Sequence, residues 1–434
     1  MSNLHQIEHR VVPAADRINK DGLDIDALKV VRRLHHFDYE TYVVGGAVRD
    51  LWLGRTPKDF DLATAASPRQ VKRAFSNCRL IGRRFRLAHV FFGPKNIEVS
   101  TFRANVVAGE NEEGEDLLVW DDNTFGNAEE DAFRRDFTIN GLFYDPETHE
   151  VIDYVGGIAD LDAGIIRTIG DPDIRFREDP VRILRAVKFA ARLGFTIEPE
   201  TFEAALRHCS EIMRCSQARV QEEVLRLLAS GNARAAIQIM DDMGLLEHLL
   251  PDIAAYLRKA DEQGKTLLWG FLDSLDSHDR ERTPLSTGLV VGTAFAPLIF
   301  ERMDDAAHGE LDYGTRIDRV IGSITGCLPI PRRESALLKQ ILIARRRLQR
   351  MEEGRRRRGS LAKMRGKAYF PAAVLFCELE LAARGADAQK VAQWRASLGV
   401  GEEVLAEMPA PPKPRRRRRR RPAGAAAPKG DSSS

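Results

Sequence analysis

The residues best suited to chemistry lie between Val44 and Thr64, where Val-Gly-Gly-Ala-Val-Arg-Asp is followed by Lys-Asp-Phe-Asp-Leu. Asp59 and Asp61 read as positions i and i+2 of one strand, which face the same way, so their carboxylates converge. Two hard oxygen donors suit Mg²⁺, and a pair of Mg²⁺ ions roughly 4 Å apart is the common device for in-line displacement at phosphorus. Gly45 and Gly46 carry no Cβ to hold a triphosphate away from the backbone. Arg49, one helical turn later, offers a guanidinium able to clamp phosphate oxygens bidentately. A third carboxylate should accompany the pair, and two residues compete for that place. Glu98 sits in the strand-like Ile97-Glu98-Val99. Asp136 sits in Arg134-Arg135-Asp136-Phe137-Thr138-Ile139-Asn140 and has the alternative of capping the helix expected near Phe137.

Further segments continue the pattern in order: Gly82-Arg83-Arg84-Phe85-Arg86-Leu87-Ala88-His89-Val90, Ile97 to Arg103, Glu129-Glu130-Asp131 through Asn140, Asp153-Tyr154-Val155-Gly156-Gly157, and Arg177-Glu178-Asp179-Pro180-Val181-Arg182-Ile183-Leu184-Arg185. Together they resemble the nucleotidyltransferases related to DNA polymerase β, in the branch that holds bacterial tRNA nucleotidyltransferases and poly(A) polymerases. The resemblance covers residues 40–250 and implies an α+β fold, a polymerase-β-like head followed by an all-helical neck and body. It also implies two Mg²⁺ ions, ATP as substrate, and an RNA 3′ hydroxyl as the attacking group, so no nucleophilic side chain is required. Arg135 matches the family's arginine where head meets neck. Asp179, Arg182 and Arg185 read as an i, i+3, i+6 ladder on one helix face. In the resembling enzymes an Asp and an Arg of this helix meet the Watson–Crick edge of the incoming base, a carboxylate accepting from an amine and an Arg donating to ring acceptors. His89 reads as structural.

Elements able to position these groups are legible around them. Residues 1–25 look like a flexible leader. Asp26–His36 carries Leu28, Val31 and Leu34 at helical spacing, and residues 26–155 alternate helix and strand as the catalytic head. Ser67-Pro68 is an N-cap followed by proline at the first helical position. Strands at 89–92 and 96–102 are joined by Gly93-Pro94, and residues 104–124 read as a mobile loop. Residues 156–250 form a helical neck, with the helical signal continuous from Asp179. Residues 251–408 form a helical body, interrupted by an arginine-rich segment at 345–358. Residues 409–434, rich in Pro, Ala, Gly, Ser and Arg, read as a disordered tail.

The net charge of +2 conceals an asymmetry, because the tail from Pro409 holds nine Lys/Arg and one Asp, leaving the rest of the chain acidic. Concentrated positive charge is the footprint of a polyanion partner. Arg83, Arg84, Arg345, Arg346, Arg355, Arg356, Arg415 and Arg416 are the residues expected to touch RNA, through phosphates and mostly without reading sequence. No apolar run approaches the roughly 20 residues of a membrane span. The polar N-terminus and five scattered cysteines point to the cytoplasm and away from a zinc site. Residues 82–90 resemble the segment that marks the poly(A)-adding members of the branch, and the arginine clusters suit an enzyme accepting many RNA ends. Template-independent adenylyl transfer to RNA 3′ ends is therefore the leading reading. CCA addition to tRNA is the second, and a non-catalytic RNA-binding protein the third, disfavoured by the intact aspartates.

Overall fold

A computed structural model of the chain describes residues 9–82, 86–104, 124–279, 283–304, 312–352 and 359–401. The head is built on one sheet, eight-stranded among the described residues. Its order is β1 (Arg10–Pro13), β8 (Glu150–Asp153), β7 (Leu142–Asp145), β2 (Thr41–Val44), β3 (Asp61–Thr64), β6 (Lys95–Thr101), β5 (Leu87–Phe92) and β4 (Cys78–Ile81). β3 and β6 run parallel, and the other neighbours are antiparallel. Central β2 and β3 bury Val43, Val44, Leu62 and Ala63. Helix α1 (Ile25–His35) lays Ala27, Val30, Val31 and Leu34 on the sheet, a 3.6-residue stripe. α2 (Gly46–Trp52) leaves the end of β2, and α3 (Pro68–Ala74) begins at Ser67, whose N–H is taken by the Gln70 side chain. α4 (Ala128–Phe133) leads into the Arg135–Asn140 segment.

The Asp-Tyr-Val-Gly-Gly motif proves to be a support for that segment. Asp153 accepts from the N–H groups of Val155, Gly157 and Ile158, fixing the start of α5 (Gly157–Ala163). A Cβ at Gly157 would fall 2.2 Å from the Thr138 carbonyl oxygen, so only glycine lets α5 approach so closely. The neck continues through β9 (Ile165–Ile166), α6 (Pro172–Glu178), α7 (Val181–Leu193), β10 (Thr196–Ile197), α8 (Pro199–His208), α9 (Gln217–Leu228), α10 (Ala233–Asp242), α11 (Leu245–Leu249) and α12 (Pro251–Lys259). The body adds α13 (Glu262–Asp276), α14 (Thr287–Ala294), α15 (Ala296–Asp304), α16 (Tyr313–Cys327), α17 (Arg332–Glu352), α18 (Gly359–Arg365), α19 (Phe370–Ala383) and α20 (Ala388–Ser397). The α+β head with a helical body is thus as the sequence implied. No helix among the described residues is long and apolar enough to cross a membrane.

Three local expectations change. The leader is partly built into the fold, because Arg10–Pro13 adds a strand to the free edge of β8 and Ala14 and Ile18 are buried. Four residues are too few to show a strand period by themselves. The helix expected from Asp179 is broken there, with α6 ending before it and α7 starting after Pro180, since the residue before a proline is driven out of helical geometry. Arg345–Arg350 do not interrupt the body but continue α17, arginine being a good helix former. Most of the 104–124 loop and the whole 409–434 tail lie outside the described residues.

Candidate active site

The strand register assembles the acidic side. β3 begins at Asp61, so Asp59 lies in the lead-in two residues before the strand rather than within it. Asp61 is directly opposite Glu98 on β6, Glu98 is opposite His89 on β5, and His89 is opposite Arg79 on β4. Directly paired residues share a face, so Asp61, Glu98, His89 and Arg79 form one row across the sheet. His89 Nε2 is 3.5 Å from a Glu98 oxygen, and its Nδ1 is 3.0 Å from Asn96. The Asp61 side chain keeps an opening to solvent, yet surrounding protein strips enough water to push its pKa up to about 6, with the charges of Glu98 and Asp59 adding to the rise. Arg135 and His89 pull the other way.

Among the described residues no three acidic, imidazole or thiol groups converge into a ready metal cage. Of the two candidates for the third carboxylate, Glu98 is the one beside Asp61. Glu98 acts on Asp61 through charge. Asp136 is committed elsewhere: Arg185 reaches its Oδ2 at 2.6 Å, while Asn140 Nδ2 and the Phe137 N–H reach Oδ1 at 3.1 and 2.9 Å. Burial alone would raise its pKa, but Arg185 and these hydrogen bonds hold it below the ordinary carboxylate range.

The Gly-Gly turn follows directly on Val44, the β2 residue opposite Asp61. Gly45 has φ of +70°, which favours glycine, and a Cβ there would come 3.1 Å from Arg135 Nη1, so any side chain would also press on that guanidinium. Arg135 is braced by Asp131 at 2.8 Å, donates to the Asn140 carbonyl, and lies over Phe143. Its backbone is pinned by Arg175, which donates to the carbonyls of Arg134 and Arg135, both at 2.7 Å. Burial first, and Arg182 next, lower the Arg175 pKa to about 10.

Arg49 departs from expectation. Only 2% exposed, it turns inward to Asp50 at 2.8 Å and Asn140 at 2.7 Å, above the Phe189 ring. It is a cross-brace under the turn rather than a free phosphate clamp. Asp50 in turn receives Arg192 at 2.8 Å. On α7 the residues facing the head are thus Arg185, Phe189 and Arg192, an i, i+4, i+7 stripe.

Asp179, Arg182 and Arg185 do not form one ladder. Asp179 lies in the break between α6 and α7, held bidentately by Arg219 of α9 at 2.7 and 3.0 Å. Arg182 turns back to Glu178 and the Arg175 carbonyl at 3.0 and 2.9 Å. Arg185 pairs with Asp136. Three neighbouring side chains thus have three separate partners, because the break at Pro180 rotates Asp179 off the helix.

Comparison with known proteins places this geometry in a family. The model described as "Poly A polymerase head domain" matches residues 41–167, and that described as "Probable RNA and SrmB- binding site of polymerase A" matches 194–257. Poly(A) polymerase I of Salmonella typhi is 39% identical over 388 residues, 87% of this chain and 83% of the relative. The chain belongs to the poly(A) polymerase family. The CCA-adding enzyme of Bacillus subtilis is 38% identical over 225 residues, covering 52% of this chain and 55% of that enzyme. A crystal structure of the Bacillus stearothermophilus CCA-adding enzyme in complex with CTP overlays with a TM-score of 0.62 at 26% identity, covering 86% of this chain and 82% of that one.

The sequence left several residues of this poly(A) polymerase-family site without a role. Asn140 links Asp136, Arg49 and Arg135, and its place in the Arg-Arg-Asp-Phe-Thr-Ile-Asn segment was the available signal. Asp131 lay in an acidic triplet with no partner in view, and Arg219 had no signal at all. Of the residues expected to touch RNA, Arg345 and Arg346 lie on α17. Arg83, Arg84, Arg355, Arg356, Arg415 and Arg416 lie outside the described residues.

Proposed function

We propose that the chain adds AMP from ATP to RNA 3′ ends without a template. One observation carries this reading over CCA addition: sequence likeness to the poly(A)-adding relative extends over 87% of the chain, through the head into the helical body, whereas sequence likeness to the CCA-adding relative covers 52%, although the fold is shared with both.

The residues at the cleft support the chemistry. Asp59 and Asp61 are hard donors, and a divalent cation would offset the burial of Asp61 and the negative charge that Glu98 and Asp59 place beside it, so they fit Mg²⁺, with water and phosphate oxygens as the other ligands. When bound, the ions supply charge for the α-phosphate and lower the pKa of the attacking 3′ hydroxyl. Glu98 adds negative potential beside Asp61 and strengthens its hold on a cation. The Gly45–Gly46 turn admits the triphosphate to the backbone, and Arg135 beside it offsets phosphate charge. Arg49, Asp50 and Asn140 keep that turn rigid, so little ordering is left for the moment of reaction. Asp179 and Arg182 are the groups this reading assigns to the base edge, each exchanging its present partner, Arg219 or Glu178, for the base, while Arg185 with Asp136 sets the angle of α7 against the head. Attack by the hydroxyl releases pyrophosphate. A cytoplasmic setting, where ATP and RNA ends coexist, suits this role.

Offered each nucleotide separately on a generic RNA oligonucleotide, the protein should incorporate AMP far ahead of CMP, GMP or UMP. Efficient, self-limiting addition of CMP then AMP to a tRNA lacking its end would favour the second reading. Arg182→Ala should narrow the gap between ATP and the other nucleotides, by roughly tenfold if one good base contact is lost. Lower activity with an unchanged ATP-to-CTP ratio would leave Arg182 only its structural contacts to Glu178 and Arg175.

A further inference from the structure

A cavity of about 290 Å³ opens in the helical body among α15, α16, α17 and the end of α19. Arg316, Arg345, Arg346 and Arg384 line it, with Phe300 and Tyr313 as aromatic surfaces. Arg345 and Arg384 share the buried Glu380, Arg345 at 2.5 and 2.6 Å and Arg384 at 3.1 Å. Arg345 also lies 3.7 Å above the Phe300 ring centre, so it is an anchored wall rather than a free RNA contact. The other two arginines differ. Arg346 lies 3.8 Å above Tyr313 and has no carboxylate partner among the described residues. Arg316 donates one Nη to the Met303 carbonyl at 3.1 Å, and its Nε is buried with no hydrogen-bond partner.

Among the described residues, counting Asp304 in the lining and Glu380 behind Arg345 and Arg384, four guanidiniums face two carboxylates, which leaves these walls with an excess of positive charge and an unused buried donor. Buried donors and desolvated cations call for an acceptor, and the strongest for guanidinium is a phosphate or carboxylate oxygen. Stacking of Arg345 and Arg346 on aromatic rings fixes the planes of their forks in advance, which lowers the ordering cost of binding. The volume is at the small end for ligand pockets, about right for a phosphate with its sugar and small for a whole nucleotide triphosphate.

We propose that this cavity is a second phosphate site, which holds a backbone phosphate of the RNA substrate upstream of the reacting 3′ end, through Arg316 and Arg346. The inference deepens the polyadenylation reading and rests on it for the identity of the polymer. Free phosphate and mononucleotides share the chemistry, and the experiment separates them from RNA. A primer too short to span cleft and cavity gains nothing from the site, whereas a long one is held while its end is extended.

The test compares wild type with Arg316→Gln/Arg346→Gln and with Arg346→Gln alone, which breaks no ion pair among the described residues. Binding of a long oligo(A) probe is followed by anisotropy across a salt series, binding of inorganic phosphate and of AMP by calorimetry, and AMP addition is measured on the long probe and on a trinucleotide primer. The double variant should bind the long probe roughly tenfold more weakly, with a log–log salt slope shallower by about 0.7 per phosphate lost. Its activity on the trinucleotide should match wild type. Unchanged affinity and slope on the long probe would overturn the proposal. So would an equal loss on both primers, which marks a structural defect, or loss of inorganic phosphate or AMP binding with RNA affinity intact, which marks a free-anion site. The binding arm reads out even if the nucleotide transferred were not AMP, so failure of this site and failure of the activity reading are distinguishable.

Discussion

Alanine at Asp61 or at Asp59 is expected to lower AMP incorporation by at least about a thousandfold with the fold intact, because each removes one of the two carboxylates we propose to hold the metal ions, and with it charge stabilisation of the transition state. Stability should move differently from activity. Asp61 is an acid whose folded-state pKa is raised from 3.8 to about 6, so its ionised form is disfavoured in the folded chain. The stability it contributes is present below the unfolded value and lost as pH rises through about 6. At pH 7 without metal, Asp61→Asn should therefore melt no lower than wild type. Added Mg²⁺ should raise the melting temperature of wild type by binding the folded state, and that increase should shrink in the variant. Near wild-type incorporation by either alanine variant, or an undiminished Mg²⁺ shift in Asp61→Asn, would remove these carboxylates from the metal site.

Asp136→Ala is expected to behave in the opposite way, as a stability variant first. The change strips Arg185 of its partner and Asn140 of an acceptor in the seam where α7 docks on the head. Breaking a buried pair by removing one member costs about 3–5 kcal/mol, and the low end applies because Arg185 keeps partial access to water. Since the Asp136 pKa is depressed when folded, this contribution is present at neutral pH and fades as pH falls through the depressed value, below the ordinary carboxylate range near 4. Urea unfolding at pH 7 and in acid should show the gap between wild type and variant closing at low pH. If Asp136 were instead a metal ligand, the variant would lose activity as deeply as Asp61→Ala with no matching loss of stability.

The parts of this protein that the sequence determined alone are those whose cause is local. A β-rich run into Gly45-Gly46 makes a strand, a turn with positive φ and a helix, because only glycine fills that conformation cheaply. Ser67 to Gln70 signals a helix start, Gly93 a hairpin, and the 3.6-residue stripe of α1 a packed helix, each within a few residues. Asp59 and Asp61 read as a pair on one strand for the same reason, but the strand begins only at Asp61. What only the tertiary structure decided is where charged side chains point, since their partners lie far along the chain. Arg49 meets Asn140 across 91 residues, and Arg192 meets Asp50 across 142. An arginine next to a phosphate-ready turn reads as a clamp until burial shows that its charge is already neutralised from within. Asp179, Arg182 and Arg185 likewise read as one face until Pro180 breaks the helix and Arg219, Glu178 and Asp136 each claim one of them. Local propensity fixes which residues bend, turn or coil. The pairing of buried charges is fixed by the cost of leaving any of them unpaired once the head and neck have packed.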